Sequence, residues 1–221
     1  MRSHCLRAGV VARCLVVLLM MGSASGCVGL AAQVLYMVKG EKVPAEFEGL
    51  EGKRVAVVCV AGSGNYGPGS APSVLSQLVE AILRNQVKNV KVVRHEEVID
   101  WIDNNDWNQM DYRDVGRGVN ADMVVGLDLD GYRLHEDATM YKGRASVTIT
   151  VYDMKKGGES VYRDTMPNFM FPVNGGQHVS ETNEAQFQRK FLLILAQDIA
   201  KHFYAYEFKD EFARDAVLMH Q

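Results

Sequence analysis

A glycine-rich segment, Gly62-Ser-Gly-Asn-Tyr-Gly67, is the first stretch whose residue types and spacing could do chemistry. It follows a predicted strand and has the G-x-G-x-x-G spacing whose backbone N–H groups bind pyrophosphate in dinucleotide folds. Two features disagree with that function. Pro68–Pro72 delays the next predicted helix, and the following strand ends in Arg94-His95 rather than in an acidic ribose ligand. We therefore predict a loop that binds no nucleotide, so NADH or NADPH should leave the melting temperature unchanged.

Two aspartates and a histidine form a second candidate site. Asp128 and Asp130 alternate along a predicted strand and project from one face, and His135 follows shortly afterwards. Divalent cations prefer carboxylate oxygens, so one alternative is an exported enzyme or cation-binding protein that uses these three residues. Aspartates that alternate with Leu127 and Leu129 are more often the solvated side of a strand. We therefore predict no metal site here.

No catalytic signature is found in the sequence. G-x-S-x-G and S-x-x-K are absent, and the histidines after residue 26 lack the spacing of zinc ligands. Cys59 lies within an apolar predicted strand, where a lone cysteine usually acts as a small buried hydrophobic residue. We predict a protein that is not an enzyme and has no cofactor apart from a covalent lipid.

The expected lipid site is Cys27. Arginines 2, 7 and 13 precede the apolar run Cys14–Met21, and the small residues Gly22–Gly26 lead directly to the cysteine. This order is typical of a secretory signal, here residues 1–26, and its end resembles the lipobox in which the cysteine is acylated. Ala24 replaces the leucine usual at that lipobox position.

An uncleaved membrane helix is the alternative anchor. The 25 positions between Arg13 and Lys39 carry no charge, which is long enough to span a bilayer. In either case the arginines favour a cytoplasmic N-terminus, so the rest of the chain lies outside the cytoplasm. Val28 replaces the aspartate that commonly retains lipoproteins at the inner membrane, which slightly favours the outer membrane. Nucleotides are cytoplasmic cofactors, so export also argues against a dinucleotide site.

Composition restricts the partner class. Removal of the signal lowers the formal charge from −3 to −6, and no basic run gives the footprint of nucleic-acid binding. The mature chain has a length typical of one domain. We expect a linker over 27–52, a folded domain over 53–206 and a helical tail over 207–221.

Apolar periodicity predicts an α/β (mixed α+β) domain with a mixed sheet flanked by helices, in the order β-α-β-α-α-β-β-β-α. The continuous apolar run Lys53–Val60 indicates a strand buried on both faces, whereas Ser146–Tyr152 alternates as a half-buried strand. An amphipathic helix is predicted over Asn183–Tyr206. Helix one is predicted over Ser73–Asn85, and each of these two helices has one apolar face. The apolar residues are Val74, Leu78, Val79, Ile82 and Leu83 on helix one, and Phe187, Phe191, Ile194, Leu195, Ile199 and Phe203 on the last helix.

Two predicted loops are candidate protein contacts. Pro167–Ser180 is predicted to be a long loop, and Phe169, Met170 and Phe171 lie between its prolines. Aromatic residues and methionine are enriched at interfaces, although these side chains could equally fold back over the sheet. Tyr66, at the centre of the glycine-rich loop, is the second candidate. The expected partner is an envelope protein.

Three passages of the sequence occur in a recognisable order: the opening strand Gly52–Val58, the Gly118–Gly126 passage, and the Thr148–Asp164 hairpin with Lys155-Lys-Gly-Gly158 at its turn. Together they resemble the envelope lipoprotein superfamily that contains the TolB N-terminal domain, LpoB, PelC and CsgG. The resemblance covers Lys53–Tyr206 and implies a non-enzymatic accessory domain that binds a partner protein. No site residue of the family carries over.

Overall fold

The computed structural model describes residues 42–62, 69–105 and 111–207. The predicted signal 1–26, Cys27, Tyr66 and nearly all of the predicted tail lie outside these ranges. The elements in chain order are β1 (Lys42–Val43), β2 (Arg54–Ala61), α1 (Ala71–Gln86), β3 (Lys91–Val92), α2 (His95–Asn104), α3 (Tyr112–Gly118), β4 (Met123–His135), β5 (Met140–Asp153), β6 (Glu159–Phe171), β7 (Gln177–His178), α4 (Glu184–Lys201) and β8 (Tyr206–Glu207).

The chain divides into two units. One unit, Pro44–Ala205, contains the large sheet and the helices, and the other contains the antiparallel pair β1–β8. The large sheet has the strand order β3-β2-β4-β5-β6, and β7 pairs with β5. β2 is parallel to β3 and β4, whereas β4, β5 and β6 pair antiparallel. The predicted mixed sheet flanked by helices is confirmed.

β2 is the central strand of this unit. Val55, Val57 and Cys59 belong to one hydrophobic core, and Ala56 and Val58 belong to a second core on the opposite face. α1 and α4 contribute to the first core, and α2 and α3 contribute to the second. Helices on both faces explain why this strand has a continuous apolar sequence instead of an alternating one.

α4 matches its prediction closely. Asn183 caps the helix by accepting a hydrogen bond from the Gln186 backbone N–H at 2.9 Å. The helix ends at Lys201 rather than at the predicted Tyr206, so Phe203 lies beyond it. Every residue predicted to face the core is nevertheless buried: Phe187, Phe191, Ile194, Leu195, Ile199 and Phe203.

α1 matches its prediction less closely. Val79 and Leu83 are fully buried, whereas Val74, Leu78 and Ile82 are only partly buried at the edge of the core. The helix also buries three polar side chains that an apolar face would not include: Ser73, Ser76 and Glu80.

The prediction of a loop over Pro167–Ser180 is wrong. β6 continues to Phe171, and β7 occupies Gln177–His178. Proline is tolerated on an edge strand because its missing N–H can face outward. The pairing with β5 shifts register near Pro167, and Asn168 adopts a φ of 53° there, so a bulge accommodates the irregular residues and pairing resumes at Phe169.

Candidate functional site

The predicted contact residues lie on the last three positions of β6. The Phe169 ring lies 5.8 Å from the Phe191 ring, and the Phe171 ring lies 6.3 Å from the Phe187 ring. Both aromatics therefore pack over α4 at the edge of the core. Met170 faces the other way, and its Sδ lies 2.7 Å from Nη1 of Arg144. A partner-binding role for these three residues stays a prediction.

The more exposed feature of this region is β6 itself. It is 13 residues long, none of its residues is buried, and β5 is its single neighbour among the described strands. Its outer edge makes no backbone hydrogen bond to any described residue. A long edge strand presents free N–H and C=O groups with which another chain can pair. Pro167 and its bulge limit such pairing at one end of the strand, and a second register shift lies between Ser160 and Tyr162, so the regular part of β6 is Tyr162–Met166.

The candidate cation ligands have separate surroundings. Asp128 accepts a 2.6 Å hydrogen bond from the hydroxyl of Tyr112, whose pKa is raised by burial and by this carboxylate. His135 Nε2 lies 3.1 Å from a Glu184 carboxylate oxygen. Asp130 is exposed and has no hydrogen bond or ion pair to a described residue. The structure thus does not bring Asp128, Asp130 and His135 together as a ligand set within the described ranges.

A different cluster joins the start of this unit to its last helix. The Tyr162 hydroxyl donates to Glu46 at 2.7 Å, and His202 Nδ1 lies 2.9 Å from that hydroxyl and 3.0 Å from the same carboxylate. The hydrogen bond from Tyr162 lowers the pKa of Glu46, and His202 lowers it further. Burial, and then Glu46, raise the pKa of Tyr162. Sequence reasoning missed this cluster because Glu46 and Tyr162 are 116 positions apart.

Glu46 and His202 of this cluster, together with Asp164, form a group of described residues whose possible metal-ligand atoms lie within 4.8 Å of one another. Asp164 lies 3.9 Å from Nε2 of His202, whereas Glu46 contacts Nδ1. The two carboxylates thus approach different nitrogens of one imidazole. This geometry is typical of ion pairing around a histidine, and it would have to rearrange before all three side chains could bind one cation.

A buried polar network connects α1 to α2. Ser73 Oγ lies 2.9 Å from His95 Nε2, and His95 Nδ1 lies 3.2 Å from Glu80 Oε1. The order serine, imidazole, carboxylate is that of hydrolytic triads, but Ser73 is 0% exposed, so no substrate can reach its hydroxyl. Burial raises the pKa of Glu80, while the hydrogen bond from His95 opposes that shift. Helical spacing of Ser73, Ser76 and Glu80 was the sequence signal that could have revealed the network.

A cleft of about 510 Å³ lies at the carboxyl end of β2, beside the middle of β4 and the first turn of α1. Its described lining residues are Ala61, Gly62, Ser70, Ala71, Pro72, Leu129, Asp130, Gly131, Tyr132 and Gln188. Burial raises the pKa of Tyr132 to about 12. The Tyr132 hydroxyl oxygen is buried beside the Gln188 side chain, with which it forms no hydrogen bond of full geometry. An unsatisfied buried hydroxyl costs about 1–3 kcal/mol, and groups of this kind are often satisfied by a bound ligand or water.

Comparisons with known proteins establish no family. No family model matches the chain, and no curated protein matches it. Three solved structures are similar to this chain, each at low sequence identity. A PelC dodecamer from Paraburkholderia phytofirmans is 13% identical, with a TM-score of 0.41, 74% of this chain and 97% of that chain covered. A lipoprotein from Neisseria meningitidis is 10% identical, with a TM-score of 0.42 and coverages of 66% and 97%. The LpoB C-terminal domain from Salmonella enterica is 13% identical, with a TM-score of 0.34 and coverages of 60% and 90%.

No helix in residues 42–62, 69–105 or 111–207 is long and apolar enough to cross a membrane.

Proposed function

We propose that this chain is an exported, lipid-anchored accessory protein of the cell envelope whose folded unit binds another protein and catalyses no reaction. The observation that carries the proposal is the order of residues at the N-terminus: three arginines, the apolar run Cys14–Met21, five small residues and Cys27. That order directs a chain to export, and an acylated cysteine would then hold the domain at the membrane surface. The outer membrane is the slightly favoured destination because Val28 follows the cysteine.

The edge of β6 is the proposed protein-binding surface. An extended segment that pairs with an exposed edge gains main-chain hydrogen bonds, and neighbouring side chains then select its sequence. The regular segment Tyr162–Met166 offers this backbone edge, with Arg163 and Thr165 exposed along it. Phe169 and Phe171 pack on α4, so they would support the strand while Met170 remains available from the opposite face.

The anchor is tested by metabolic labelling of cells with an alkyne fatty acid. The wild-type chain should carry label, Cys27→Ala should carry none, and Cys5→Ala is the matched control because its cysteine leaves with the signal. Label that persists in Cys27→Ala would contradict lipidation at this residue.

Protease added to cells with an opened outer membrane tests the location separately. Export predicts that the domain becomes accessible to protease under these conditions. An unlabelled chain that stays protected until the inner membrane is disrupted would contradict the whole proposal. An unlabelled, membrane-bound and accessible chain would instead support the uncleaved helix and leave the accessory role standing.

A further inference from the structure

The cleft lies at the carboxyl end of β2, where the parallel pairing with β4 ends and the chain changes direction across the sheet. From β2 the chain passes through α1 to β3 on one side, and it later returns to β4 on the other side. In open sheets with parallel strands, ligands bind outside the carboxyl ends of the strands at such a switch point. The cleft of about 510 Å³ is within the size range of small-molecule sites.

The first turn of α1 is poorly suited to an anion. Ser70 Oγ accepts from the Ser73 N–H at 3.4 Å, and the Val74 N–H donates to the Ser70 carbonyl at 3.0 Å. Pro72 has no N–H to offer. No lysine or arginine occurs among the described lining residues. A phosphate or carboxylate ligand would therefore find few free donors and no opposite charge.

Asp130 gives the cleft the opposite preference. It is the charged side chain among the described lining residues, and it forms no ion pair or hydrogen bond with another described residue. Its Oδ1 would lie 3.5 Å from a Cβ at position 62, so glycine at that position leaves the space beside the carboxylate open. A carboxylate without a partner among the described residues, exposed beside a cleft, attracts a cation.

The remaining lining adds an aromatic ring and apolar surface. The Tyr132 ring packs against Phe191 at 6.0 Å, which fixes its position beside Leu129 and Pro72. Aromatic faces attract cations, and the amide of Gln188 adds an acceptor for an ammonium N–H. We propose that this cleft binds a small organic cation, a protonated amine on an apolar scaffold. This site is independent of the β6 edge.

Three probes of one shape and different charge test the proposal: benzylamine, benzyl alcohol and benzoate, titrated into the full chain in detergent micelles at pH 7. Protein NMR should show benzylamine shifting the amide signals of Gly62 and Gly131 and the side-chain amide of Gln188. Benzyl alcohol should bind at least tenfold more weakly, because it lacks the charge that interacts with Asp130. Benzoate should shift none of these signals.

Asp130→Asn should weaken benzylamine binding by about tenfold or more, since it removes the charge and preserves the shape. Asp103→Asn makes the same charge change at an exposed position of α2 and should leave binding unchanged. Tyr132→Leu should weaken benzylamine more than benzyl alcohol, because the aromatic face is lost. The proposal is overturned if benzoate binds as well as benzylamine, if Asp130→Asn binds normally, if the shifts map elsewhere, or if ~10 mM benzylamine shifts nothing.

Discussion

β2 and β6 belong to one sheet but have opposite surroundings. β2 has a strand on each side and helices over both faces, and six of its eight residues are buried. β6 has one neighbouring strand, and all of its 13 residues are at least partly exposed. A sheet stabilises its centre by burial and leaves its edge able to pair, so stability depends mainly on β2 and recognition is expected on β6.

The largest contrast should come from introducing the same charge into both strands. Val57→Asp places an unpaired carboxylate in a fully buried position, so we expect a loss of at least about 4 kcal/mol in unfolding free energy, or failure to fold. Thr165→Asp lies on an exposed part of β6 and should change the free energy by less than about 0.5 kcal/mol. Chemical denaturation measures both. Equal losses would show that β6 is not a tolerant edge.

A smaller effect is expected where β5 joins the end of β6. Gly143 pairs with Phe171, and a Cβ at this glycine would collide with the Phe191 ring. Gly143→Ala should therefore cost about 1–3 kcal/mol through overpacking. Lys142→Ala, on the opposite strand face, is the control and should cost less than about 1 kcal/mol. An unaffected Gly143→Ala would mean that the aromatic residues of β6 and α4 adjust freely.

The buried network of Ser73, His95 and Glu80, which connects α1 to α2, predicts that the stability of the protein depends on pH. Because the pKa of Glu80 is raised on folding, the wild type binds a proton more tightly when folded, and its stability falls as pH rises above about 4.5. Glu80→Gln cannot ionise and should lose this contribution. The unfolding free energy of the wild type should therefore fall relative to that of Glu80→Gln as the pH rises above about 4.5. Asp100→Asn, at an exposed position of α2, should follow the wild type; the same slope in all three proteins would contradict the shift.

The smallest effect is expected on β6, where Tyr162 contacts Glu46. Tyr162→Phe removes the hydroxyl and should cost less than about 1 kcal/mol at pH 7, because Glu46 is exposed. The lowered pKa of Glu46 means that its contribution is present above about 4.5 and disappears as pH falls through the folded-state pKa. The gap between wild type and variant should thus narrow at low pH.

A double-mutant cycle with Glu46→Gln checks that assignment. Glu46→Gln should remove most of the pH-dependent part of the Tyr162→Phe effect, since the two residues share one hydrogen bond. A gap that is unchanged in the Glu46→Gln background would contradict the pairing.

Elements whose burial is simple were predictable from the sequence. The unbroken apolar run of β2 and the helical spacing of Phe187, Phe191 and Leu195 reflect faces that are wholly covered. The end of β6 was not predictable in this way, because Pro167 is a loop signal unless the strand is known to be at an edge. Both histidine clusters depend on contacts made by the fold, such as Glu46 with His202, which local patterns do not contain.

The cleft was only partly visible in the sequence. Gly62 and Asp130 were both singled out, but as members of separate candidate sites, a nucleotide loop and a cation-ligand set. Parallel pairing of β2 with β4 brings them together, with Ala61 aligned with Leu129. Strand order is a property of the whole sheet, so their proximity could not be derived from either motif alone.

Site-specific photocrosslinking in cells is the most direct test of whether the β6 edge binds another protein. A photoreactive phenylalanine analogue at Thr165 on β6 is compared with the same analogue at Asp103 on α2, both at exposed positions. If the β6 edge binds a protein, we expect a discrete protein adduct from Thr165 and none from Asp103. No adduct at Thr165, or the same adduct from both positions, would contradict the β6 edge as the protein-binding surface.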